Sequence, residues 1–84
     1  MIVGFDPVAW DAHVYWQTHD KTIVRKLNAL IKECLRHPFD GTGKPEPLLG
    51  NLSGFRSRRL SREHRLVYRA AKGVLQIAQC RYHY

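Results

Sequence analysis

Acidic residues are almost missing from the second half of this chain. Residues 50–84 contain one acid, Glu63, against eight bases: Arg56, Arg58, Arg59, Arg62, Arg65, Arg69, Lys72 and Arg81. Residues 1–49 hold six of each sign, so the net charge of +7 belongs wholly to the second half. A merely solvated face would mix signs and favour lysine, whereas arginine suits forked contacts with phosphate. A polyanionic partner is implied, either nucleic acid or an acidic protein. Cysteine is scarce too. Cys34 and Cys80 allow at most one bridge, and both lie in apolar patterns, as small core residues do. No apolar run approaches a membrane span, and Asp6-Pro7 interrupts the N-terminus before a leader could develop. A cytoplasmic protein without membrane association is expected. Histidines at 13, 19, 37, 64 and 83 and two isolated cysteines match no metal-ligand spacing, and no phosphate-binding glycine loop is present. Neither metal nor cofactor is expected, and 84 residues leave room for one domain, 1–84.

The residues that are present spell out an α+β order. Ile2–Phe5 is a short apolar strand. Asp6-Pro7 supplies an N-cap and a proline at the first helical position, starting a helix from about Pro7 to His19. Its apolar residues Val8, Ala12, Tyr15 and Trp16 share one side, while Trp10 and Val14 fall elsewhere. Asp20 is a second N-cap. Ile23, Leu27, Leu30 and Cys34 then repeat at helical spacing until Pro38 forbids continuation, which ends the helix near Arg36. Almost no linker separates the two helices, so they should form a hairpin packed on a sheet. Residues 38–54 carry three prolines and four glycines and should form a long loop without helix. Within it, Pro45 and Pro47 hold Glu46 extended. Three strands come next: Arg56–Leu60, His64–Ala71 and Val74–Tyr82, the last two joined by a Lys72-Gly73 turn.

Alternation puts His64, Leu66, Tyr68 and Ala70 on the core face and Arg65, Val67 and Arg69 on the other. A strict hairpin sets Leu66 opposite Gln79, Tyr68 opposite Ile77 and Ala70 opposite Leu75. That register places Arg65 and His83 on opposite faces. They can meet only if pairing breaks after about Cys80 or a bulge intervenes.

Chemistry without a metal needs a base, an acid and a cation. RNA is cleaved when a base removes a 2′-OH proton, an acid protonates the departing 5′-oxygen and a cation stabilises the charge on phosphorus. Glu46 or Glu63 could be the base and His83 or His64 the acid. His83 is preferred because a terminal segment can reach into a cleft, whereas His64 starts a core-facing row and suits a structural role. From its own segment alone, Glu46 is better explained as an exposed residue of a turn.

Resemblance adds to this. Gly43-Lys44-Pro45-Glu46-Pro47-Leu48, Asn51-Leu52-Ser53-Gly54-Phe55, Ser57-Arg58-Arg59, Glu63-His64-Arg65-Leu66-Val67-Tyr68 and Cys80-Arg81-Tyr82-His83-Tyr84 resemble the Txe/YoeB family. These are toxins of bacterial toxin–antitoxin pairs in the RelE/ParE superfamily. Tyr15-Trp16-Gln17 and Asp20-Lys21 extend the likeness into the helical half. The resemblance implies two helices on a twisted, mostly antiparallel sheet that includes the N-terminal strand. It implies an endoribonuclease acting on mRNA in the ribosomal A site, with Glu46 as base, Arg65 as phosphate-stabilising cation, His83 as acid and Tyr84 completing the site. Lys44, Arg58, Arg59 and Arg81 are candidate contacts to RNA phosphate. The implied partners are the ribosome with its mRNA, an acidic antitoxin of YefM or Phd type that folds as it binds, and a second copy in a homodimer. One position departs from the pattern: Leu49 stands where relatives are basic, which weakens one substrate contact that Lys44 or an arginine would replace. Two other functions fit the same composition, a ParE-like inhibitor of gyrase and an RNA-binding module without catalysis. The first needs no acid–base pair, and the second leaves Glu46 unexplained.

Overall fold

The computed structural model describes residues 1–82. Chain order is β1 (Ile2–Phe5), α1 (Pro7–His19), α2 (Lys21–Arg36), β2 (Glu46–Pro47), a 3-10 turn (Gly50–Leu52), β3 (Arg56–Arg59), β4 (Arg65–Ala71) and β5 (Val74–Gln79). The strands form one sheet in the order β1-β5-β4-β3-β2. Among the described residues only the β1–β5 pair is parallel, so the expected α+β architecture on a mostly antiparallel sheet holds.

Local signals explain both helices. Asp20 accepts hydrogen bonds from the Thr22 and Ile23 amides, a full side-chain cap on α2. Asp6 stands at the N-cap of α1 without such a bond. Its carboxylate instead accepts from Gln76 on β5, so proline at the first helical position starts this helix largely unaided. Trp16, Ala9 and Ala12 of α1 join Ile23, Leu27, Leu30, Ile31 and Cys34 of α2 over Leu66, Tyr68, Leu75 and Ile77 of the sheet. Val8, expected on the packed side, is 69% exposed, as Ala9 takes its place inside.

Three features differ from the sequence expectation. First, the loop contains structure: β2 pairs Glu46 with Ser57 and Pro47 with Arg56 at the sheet edge, where a proline costs no ladder bond. Second, the β4–β5 ladder keeps Tyr68 opposite Ile77 and Ala70 opposite Leu75, but Val67, not Leu66, faces Gln79. Ala78 is the extra residue of a bulge, which reverses the facing of the residues after it. Gln79 thus shares a side with Val67, and Cys80 turns into the core, fully buried, with its thiol 3.4 Å from the Ala9 carbonyl oxygen. Burial pushes that thiol up to about 11. Third, β5 ends at Gln79 instead of running to Tyr82. The Lys72-Gly73 turn is as expected, with φ of 53° and 77° in the sense that a tight hairpin needs.

Candidate functional site

The sheet has a helix face and an open face, the latter covered over Ser57 and Val67 but exposed at Glu46 and Arg59, and strand parity assigns each candidate to one of them. Glu46, Ser57, Val67 and Gln79 are successive cross-strand partners and therefore share one face. Leu66, Tyr68 and Ile77, on the alternate positions, occupy the helix face. Arg59 and Arg65 are directly opposite each other on β3 and β4, on the same open face as Glu46. They lie about 7 Å along the strands from the Ser57–Val67 row. The structure therefore gathers Glu46, Arg59 and Arg65 on one surface. Glu63 is set apart in the turn before β4, where its amide donates to Ser61 Oγ.

The loop before β2 is fastened to this surface by backbone. The Arg59 amide donates to the Gly43 carbonyl at 2.7 Å. Gly43 has φ +84, and an added Cβ would stand 3.0 Å from the Arg59 carbonyl oxygen. Only glycine allows so close a crossing. Lys44 comes next at φ 52 and is exposed, carried beside β3 by that attachment. Leu49 is 87% exposed, so no packing holds an apolar side chain at that position.

Two arginines side by side repel, and opposed like charges on neighbouring strands destabilise a sheet. Among the described residues neither Arg59 nor Arg65 makes an ion pair or a side-chain hydrogen bond. Both line a concavity of about 340 Å³ with Lys26, Ser61 and Arg62. Four cations from α2, β3, the following turn and β4 thus converge without a carboxylate among them. Sequence reasoning missed Lys26 and Arg62, because α2 periodicity marks Lys26 only as outward-facing. An unfilled concentration of positive charge in a concave surface is suited to phosphate.

Arg58 corrects the sequence reading. Expected among the phosphate contacts, it has no exposed surface. Its Nε donates to the Tyr68 hydroxyl at 3.1 Å, and Nη1 to Glu33 at 3.1 Å and the Thr42 carbonyl at 3.2 Å. Nη2 donates to the carbonyls of Asp40, at 2.8 Å, and His37. Tyr68 in turn donates to the Pro38 carbonyl at 2.6 Å. Burial works against the Arg58 charge, but the bonds to Tyr68 and Glu33 outweigh it and raise its pKa. The Thr42 amide, then Arg58, hold the Glu33 carboxyl below its usual range, against the opposing effect of burial. Arg58 fastens residues 37–42 to the sheet and offers nothing to a ligand. Parity carried the missed signal, since Arg58 and the core residue Leu60 lie two apart.

Arg81 is also committed to packing. Its guanidinium carbon lies 3.6 Å from the Tyr15 ring centroid and 4.6 Å from that of Tyr82, and Nε is enclosed without a partner among the described residues. Its charge therefore sits against the Tyr15 ring of α1. His83 and Tyr84, expected as acid and terminal site residue, lie outside the described residues. The chain leading to them is described. Tyr82 has φ +64, and its carbonyl accepts from the Arg65 amide at 3.1 Å, so the segment leaves regular pairing beside Arg65.

Comparison with known proteins identifies the family. Residues 5–84 match the family described as YoeB-like toxin of bacterial type II toxin-antitoxin system. The chain belongs to that family. It is 60% identical over 76 residues to Toxin YoeB of Escherichia coli (strain K12), covering 90% of each chain. The fold superposes on the YoeB/ParE toxin from Agrobacterium tumefaciens with a TM-score of 0.96 at 45% identity, covering both chains completely. YoeB from Staphylococcus aureus has been solved as a dimer (TM-score 0.93, 44% identity) and in a YoeB-YefM complex (0.92, 42%). Each covers 100% of this chain and 98% of the other. The YoeB-family assignment thus rests on sequence and fold together. No described helix is long and apolar enough to cross a membrane.

Proposed function

We propose that this YoeB-family chain is an endoribonuclease that cleaves mRNA in the ribosomal A site and so stops translation. The observation that carries the reading is the Arg59–Arg65 couple, without an ion-pair partner among the described residues, on the same sheet face as Glu46. Glu46 removes the proton of a ribose 2′-hydroxyl, and the 2′-oxygen attacks the adjacent phosphorus. Arg65, with Arg59 beside it, stabilises the charge that builds on the phosphoryl oxygens. As the bond to the 5′-oxygen breaks, His83 gives that oxygen its proton. The products are a 2′,3′-cyclic phosphate and a free 5′-hydroxyl, and Tyr84 completes the site at the chain end. Lys44, Lys26 and Arg62 hold flanking phosphates of mRNA or ribosomal RNA.

A YefM-like antitoxin neutralises the chain by laying an acidic segment over this basic surface. The S. aureus YoeB-YefM complex supports such a partner, and the S. aureus dimer supports self-association. The site of action is cytoplasmic, because the ribosome is the substrate carrier. Translation of a defined mRNA on purified ribosomes, with mapping of new 5′ ends, tests the reading. Ends should appear within the A-site codon and bear 5′-hydroxyls. Intact mRNA on stalled ribosomes would point to inhibition without cleavage.

A further inference from the structure

Residues 80–82 are tied to distant parts of the chain by hydrogen bonds. The Trp16 indole donates to the Cys80 carbonyl at 3.0 Å, and the Arg65 amide to the Tyr82 carbonyl at 3.1 Å. The Tyr82 amide donates to His64 Nδ1 at 2.7 Å. This third bond is a side-chain anchor for a residue held at φ +64, a conformation that non-glycine residues adopt only when their surroundings impose it. The His64 ring is itself held in place. It stands edge-on to Trp16, with centroids 4.7 Å apart, and lies 5.7 Å from the Tyr82 ring. Its own carbonyl accepts from both Leu60 and Ser61 amides, which fixes the turn that presents it.

We propose that His64 is a positioning residue for the cleavage reaction. By accepting the Tyr82 N–H at Nδ1, it fixes the backbone to which His83 is directly joined. It thereby sets the position from which His83 delivers its proton. The inference rests on the reading of His83 as general acid. Nδ1 can accept only while it carries no proton, so His64 works as the neutral ring with its hydrogen on Nε2. The packing on Trp16 needs a flat ring, and the tether needs an acceptor at one place on it. Histidine meets both requirements, which a purely structural core position would not demand. The effect on rate can be large, because a displacement of about 1 Å at a reacting group can cost about a hundredfold.

Two variants separate tether from packing. His64→Phe keeps a ring against Trp16 but has no acceptor. His64→Asn places an amide oxygen near the position of Nδ1. Cleavage on purified ribosomes should give a kcat for His64→Phe lowered roughly ten- to a hundredfold. Its KM should be unchanged, because the basic surface that meets the ribosome is intact. His64→Asn should recover most of that rate. Hydrogen exchange should show the Tyr82 amide exposed in His64→Phe and protected in His64→Asn. Wild-type rate in His64→Phe, or equal loss in both variants, would overturn the positioning role. His83→Ala, run in parallel, keeps the two readings apart. If His83→Ala cleaves normally, the acid assignment fails and the positioning role fails with it. If it is inactive while His64→Phe is fully active, only the positioning role fails.

Discussion

Arg58 and Arg59 are consecutive on one strand, and they behave as opposites. Arg58 points under the helices, fully buried, its guanidinium shared among Tyr68, Glu33 and three main-chain carbonyls. Arg59 points to the open face, exposed and facing Arg65 with no acid between them. The same residue type is a structural tie on one side of the sheet and a waiting ligand contact on the other. Charge composition could identify an arginine-rich half, but it could not say which arginines were free to act. Position on the pleat decides that, because side chains alternate between faces.

Substitutions should sharpen that contrast. Arg58→Ala should have the largest effect on stability, about 3–5 kcal/mol, because it leaves buried hydrogen-bonding groups without their cation. In a domain this small that corresponds to a melting temperature lower by tens of degrees, about 4–8 °C for each kcal/mol. Glu33→Gln should cost less, on the order of 1 kcal/mol at neutral pH, since the carboxylate is partly exposed and Arg58 keeps its carbonyl partners. Its pH dependence has a definite sign. The folded-state pKa of Glu33 lies below 4.5, so its contribution is complete above that value. It is lost as pH falls through the lowered pKa. Urea unfolding of both proteins should therefore converge as the pH drops below about 4.5.

At the concavity between α2, the β3–β4 turn and the strand ends the expected effects change in kind. Lys26→Ala and Arg62→Ala should leave stability alone and weaken ribosome binding. Each should reduce the slope of log affinity against log salt by about 1, as loss of a phosphate contact does. An unchanged slope would remove that residue from the RNA-facing surface. The smallest effect is expected at Ser57, whose hydroxyl is fully buried on the Glu46 row and has no partner among the described residues. Ser57→Ala should be neutral or stabilising by up to about 1 kcal/mol in thermal melts, since a buried unsatisfied group costs free energy.

The legible parts of this protein are those encoded by neighbouring residues. Asp6-Pro7, Asp20 and Pro38 bound both helices at the positions found, because capping and proline chemistry act within one turn. The Lys72-Gly73 turn was equally local. The bulge at Ala78 was not, because it accompanies contacts made far along the chain: Cys80 reaches Ala9, and Trp16 reaches the Cys80 carbonyl. Alternation alone showed only that Arg65 and His83 could not share a face in a strict hairpin. It could not say where the pairing would yield. The two-residue strand β2 was hidden by the prolines that flank its glutamate, since a single edge pair needs no strand-forming composition. At the site, family motifs named Glu46 and Arg65, while Lys26 and Arg62 emerge only when α2 and the β3–β4 turn come together.

The most direct test of a sheet divided between support and chemistry is Arg65→Ala, measured for both properties on one preparation. The expected result is a melting temperature close to wild type, with ribosome-dependent mRNA cleavage reduced roughly a hundred- to ten-thousandfold. Cleavage at the wild-type rate by a folded Arg65→Ala protein would contradict that division.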